Sequence, residues 1–152
     1  MGIARQLQFG AGPLVARWLL TAEFLVAVSG KVFGWSDQAA YMAAHHMTMI
    51  TPLLAAALVI EAVGSICLIS GVLARTAGAI MFVYLGIVSV RLHDFWNQAA
   101  GMSSMNSTQF FKNLGMMGGL LMIAIYGPGL WTVSRLWRTP AGTDATSRAA
   151  AA

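Results

Sequence analysis

Arg91-Leu92-His93-Asp94-Phe95-Trp96 closes one long apolar segment, and Phe110-Phe111-Lys112-Asn113 opens the next after a short polar stretch. Two oily segments thus bring two cations, an imidazole, a carboxylate and an amide to a shared end. Such groups are costly near lipid unless they pair or serve a function. This meeting point therefore indicates both how the chain folds and where its chemistry lies.

Composition names the solvent. The chain is 58% hydrophobic and 9% charged, with a mean hydropathy of +0.71; an average soluble domain carries roughly 25% charged residues. That is the composition of an integral membrane protein. A helical crossing takes roughly 20 mostly apolar residues, so the 152 residues hold about four spans and no separate soluble domain. The expected fold is all-α, an integral membrane four-helix bundle. A pI near 9.9 invites nucleic acid as a partner, but the basic residues are few and flank apolar segments, as orientation signals do. Nucleic-acid binding is discarded. The single cysteine, Cys67, lies inside an apolar run and reads as a small buried residue.

Taken in order, residues 1 to 13 form an N-terminal segment ending in Gly10-Ala11-Gly12-Pro13, read as a loop before a helix. Helix one runs from about 14 to 33 and carries Arg17, Glu23 and Lys31; Glu23 argues against a signal peptide there. A polar connection over 34 to 51 holds Trp35, Asp37, Tyr41 and His45-His46-Met47-Thr48-Met49. Helix two, about 52 to 73, sets Glu61 on a stripe with Gly64, Ser65, Leu68 and Gly71, so Glu61 should point into the bundle. After a hairpin at Arg75, helix three covers about 76 to 90, with Tyr84, Arg91 and Phe95 on one face. A polar connection over 97 to 108 leads to helix four, about 109 to 126, whose Gly115 and Gly119 make a small-residue packing surface in line with Lys112. The bundle domain is expected over 14 to 133. Trp131, Arg135, Trp137 and Arg138 look interfacial, and 134 to 152 is read as a cytoplasmic tail.

With four spans, Arg5, Arg17, Arg75, Arg135, Arg138 and Arg148 fall on one side, and Lys31, Arg91 and Lys112 on the other. The positive-inside rule then puts both termini in the cytoplasm. Lys31, Glu61, Arg91, His93, Asp94, Lys112 and Asn113 are expected to meet as one polar cluster in the outer half of the bundle. Such a cluster either fixes helix register or forms a pocket for a polar headgroup such as a quinone ring, with His93, Asp94 and Glu61 able to exchange protons.

Ser29-Gly30-Lys31-Val32-Phe33-Gly34, Glu61-Ala62-Val63-Gly64 with Gly71-Val72-Leu73-Ala74-Arg75, His93-Asp94-Phe95-Trp96, and Phe111-Lys112-Asn113-Leu114 with Gly118-Gly119-Leu120-Leu121 stand in order on the four segments. In these residues, across about 14 to 126, the chain resembles the DoxX family. The resemblance implies a small four-helix protein of the bacterial inner membrane, linked in some members to quinone-dependent oxidation of sulfur compounds and in others to membrane oxidoreductase complexes. Glu23 and the His/Met-rich first connection depart from that pattern.

Three functional classes follow. One is a redox-linked subunit that binds quinone and works with a separate electron-transfer protein, since no CxxCH, cysteine cluster or Gly-rich dinucleotide loop is present. A second is an accessory or scaffolding subunit, contacting lipids and other membrane subunits through its small-residue faces. The third is a copper site built from His45, His46, Met47 and Met49, with Met102 and Met105 on the same side. Ten methionines in the chain make the thioether cluster ordinary, so no metal is assigned.

Overall fold

The computed structural model describes residues 2–97 and 100–136. Readings that rest on Trp137, Arg138 and the tail beyond them, or on the Met102 side chain, lie outside the described residues and side chains.

Every regular element among the described residues is helical. The α-helices, in order, are α1 Ile3–Gln6, α2 Gly12–Phe33, α3 Trp35–Ala44, α4 Ile50–Ser70, α5 Ala74–Leu92, α6 Ala100–Tyr126 and α7 Val133–Leu136, with a 3-10 turn at Phe95–Asn97. Three stretches, Ile3–Phe33, Ile50–Ser70 and Ala74–Asn97, are long and apolar enough to cross a membrane. The 27 residues of α6 match them in length, but Ser103, Ser104, Asn106, Gln109, Lys112 and Asn113 make its first half polar.

The four long helices form an incomplete ring. α5 packs most extensively on α6, α4 bridges α2 and α5, and α2 barely meets α6. The core is a seam of Phe24, Leu68, Ala77, Met81, Leu85, Leu120 and Ile123. In lipid such a seam is held by close packing and interhelical polar contacts, because the tails outside are as apolar as the side chains inside. Gly64 shows the closeness: a Cβ there would run into the Met81 thioether of α5.

The polar ends differ from their sequence readings in three places. The N-terminal stretch expected as a loop is helical from Ile3, passing into α2 through a widened π-turn at Leu7–Ala11. Pro13 has no N–H to give the Phe9 carbonyl, and that carbonyl accepts from the Leu130 N–H instead, at 2.5 Å. The connection at 34 to 51 contains α3, opened by Gly34, with Asp37 in its first turn where the helix dipole favours an acid. The connection at 97 to 108 is helical from Ala100 onward; its Ser, Asn and Thr residues have low helix preference, which the helix context overrides.

The termini end of the bundle is fastened by arginines. Arg17, 1% exposed, donates to the carbonyls of Leu68 at 2.8 Å, Ile69 at 3.0 Å and Trp131 at 2.5 Å. It thereby satisfies the orphan carbonyls at the C-terminus of α4. Gly71 ends that helix at φ +76°, and a Cβ there would strike Thr132 and the Arg17 guanidinium. Arg75 does the same for α6, donating to the Ile125 and Tyr126 carbonyls.

Candidate functional site

At the opposite end, where α3 lies, α2, α4 and α5 converge on one carboxylate. Glu61 sits one turn before Gly64 on the buried stripe of α4 and is 4% exposed. Lys31, in the last turn of α2, donates to both of its oxygens at 2.9 and 2.8 Å. Tyr84, in the middle of α5, donates to Oε1 at 2.6 Å. Three helices thus share one partly buried network of an ammonium, a carboxylate and a phenol. Removing one partner of such a pair costs about 3–5 kcal/mol, because the other charge is left buried alone.

A second polar layer ties α3 to the ends of α5 and α6. The Tyr41 hydroxyl donates to the Leu92 carbonyl at 2.9 Å and lies 3.4 Å from Asn106 Oδ1. His93 Nδ1 is 3.3 Å from the same Asn106 oxygen, and the His45 ring tilts over Tyr41 with centroids 4.4 Å apart. Burial first, then the nearby Asp94 charge, pushes the Tyr41 hydroxyl above the usual phenol range. Beside this layer, Phe95, Trp96, Phe110 and Phe111 pack edge to face.

The seven residues expected to meet as one cluster are distributed over several contacts. Lys31 and Glu61 pair directly. Lys112 reaches across to Glu23 on α2, and Asn113 donates to Ser89 Oγ at 3.1 Å within the α5–α6 interface. His93 belongs to the Asn106 layer, and Asp94 accepts from Asn97 at 3.2 Å. Arg91 is exposed at the mouth of an apolar hollow of about 520 Å³ lined by Phe82, Val83, Gly86, Ile87, Val90 and Met117. The physical reason for this division is local: Lys31, Lys112 and Asn113 each reach an acceptor on a neighbouring helix.

Tyr84, Tyr41, Asn106 and Arg17 did not stand out as site or locking residues in the sequence. Tyr84 had a usable signal, being a hydroxyl in the middle of an otherwise apolar helix. Gly119 packs on Leu20, whereas a Cβ at Gly115 would meet nothing, so that glycine does not line the helix interface expected for it.

For the copper reading, His46 and Met49 have φ of 56° at the turn before α4, and Met49 and Met105 are each 73% exposed. Among the described residues, no three or more His, Cys, Asp or Glu side chains gather as a metal-binding group.

Apolar spanning helices, exposed apolar flanks and an ion pair buried between them define a multi-pass membrane protein. The DoxX family model matches residues 12–94, and the chain belongs to the DoxX family. It is 34% identical over 125 residues to the inner membrane protein YqjF of Escherichia coli, covering 82% of this chain and 91% of that one. It is 29% identical over 141 residues to the inner membrane protein YphA of the same organism, covering 89% and 99%. The chain is accordingly a multi-pass inner membrane protein. No solved structure matches it.

Proposed function

We propose that this chain is a redox-linked membrane subunit that holds a quinone headgroup against the polar layer at its α3 end. The observation that carries the reading is the Lys31–Glu61–Tyr84 network built on a buried carboxylate. A quinone needs donors for its carbonyl oxygens and an apolar track for its tail. Lys31 has a third N–H beyond the two it gives Glu61, and the separate hollow on α5 and α6, with Arg91 at its mouth, supplies an apolar track. When bound, a quinone carries electrons and protons together. Glu61 can take up or release a proton while Lys31 and Tyr84 hold its charge, and His93 and Asp94 serve as the outer exchange groups. The four-span topology with both termini cytoplasmic belongs to this reading and puts the polar layer toward the periplasm. The complex would need a second subunit bearing the electron-transfer cofactor.

Quinone extraction from protein purified in native-lipid nanodiscs tests it. The wild type should carry quinone above the lipid background, and the His93→Ala/Asp94→Asn variant should fold normally and lose it. Equal content in both overturns the reading. A scaffolding subunit is the second reading, favoured by the face left open between α2 and α6; a partner copurifying in fixed ratio without quinone would support it.

A further inference from the structure

We propose that the open face between α2 and α6 docks a second copy of this chain through reciprocal Glu23–Lys112 pairing across a two-fold axis. The inference stands apart from the quinone reading.

Glu23 and Lys112 are ion-paired across the gap, yet their side chains remain 45% and 39% exposed, against 5% and 12% for Glu61 and Lys31. Glu23 lies midway between Gly12 and Phe33, the bounds of α2. Half-exposed charge at that depth faces hydrocarbon, where it is expensive unless something polar covers it. The pair also has capacity left over. Lys112 donates to Glu23 Oε1, which uses one of the three ammonium donors and leaves the second carboxylate oxygen open.

The surroundings suit a helix in contact. Leu19 and Val26 on α2 are 72% and 65% exposed, and Phe111 and Met122 on α6 are 61% and 58% exposed. Between them, Cβ atoms at Gly115 and Gly118 would meet nothing within 4 Å. Backbone without side chains lets a neighbouring membrane helix approach closely.

The charge pattern selects the occupant. A partner of different sequence that answers one charge is signalled by a face of one sign. Here both signs lie on one face at the same depth. A two-fold axis along the membrane normal preserves depth and sets each Glu23 against the other copy's Lys112, closing a ring of four alternating charges. Such a face is self-complementary, as symmetric dimers require.

The test uses two differently tagged full-length copies expressed together. Wild-type copies should copurify. Glu23→Lys gives a copy with two cations on this face, and Lys112→Glu gives one with two carboxylates; neither should pair with itself. The intramolecular pair is broken in each, yet copurification should return when the two variants are mixed, because both contacts between copies are again attractive. A mixture no better than either variant alone overturns the proposal, as does recovery of another protein with no second copy. If the charge variants fail to fold, Gly115→Cys and Gly118→Cys in a Cys67→Ala background keep the native charges. Oxidation in membranes should cross-link at least one of them between copies, and monomers from both overturn the proposal.

Discussion

The two ends of this bundle use cations in opposite ways. At the termini end, Arg17 and Arg75 donate to backbone carbonyls where α4 and α6 end. At the α3 end, Lys31 faces a carboxylate that a phenol also contacts. A guanidinium on carbonyls does not change protonation, since neither group titrates near neutral pH; it fastens helices and nothing more. An ammonium, a carboxylate and a phenol can redistribute protons when a ligand changes their surroundings. The same kind of residue, a cation in an oily helix, is thus a fastener at one end and a candidate reactive group at the other.

The largest expected effect lies at the fastened end. Arg17→Ala removes donors from three carbonyls in a buried place, and a bond from a charged donor contributes about 1.5–3 kcal/mol. Thermal unfolding in detergent should show the greatest loss of stability for this variant, with folded protein strongly reduced. If Arg17→Ala unfolds like the wild type, its contacts are not what holds α4 to the 131 region. A smaller effect is expected from Tyr84→Phe, which removes one hydrogen bond on Glu61 and keeps the ring: about 1 kcal/mol of stability. In the proposed function this variant should lower quinone retention by more than its stability loss accounts for. Parallel losses would make Tyr84 a packing residue.

The comparison also explains what could be read from the chain. Glu61, Gly64, Ser65 and Leu68 share one helical face in the sequence, and all four are buried, because a carboxylate beside small residues has nowhere cheaper to go. Arg17 was read as an orientation signal. A cation near a helix end looks the same in sequence whether it meets headgroups or carbonyls; only the fold brings Trp131 to it. The spread of the polar residues was illegible for a similar reason. Shared depth follows from counting residues along helices, but Lys112 reaches Glu23 rather than Glu61 because of how α2 and α6 are rotated. Asn106 fell within a stretch read as loop and so was never placed beside His93.

The most direct test of the central claim removes the charge at the α3 end and replaces the phenol with it, because Tyr84 would otherwise lose its acceptor. Replacing both partners of a buried ion pair by apolar residues of similar size is often neutral for stability, whereas removing one is not. Lys31→Met/Glu61→Met/Tyr84→Phe should therefore unfold close to wild type, while Glu61→Met alone is destabilised. Bound quinone is then measured in nanodiscs holding equal amounts of folded protein. The account predicts that the stable triple variant has lost its quinone; a triple variant that retains quinone at the wild-type level would show that Lys31, Glu61 and Tyr84 only hold helices together.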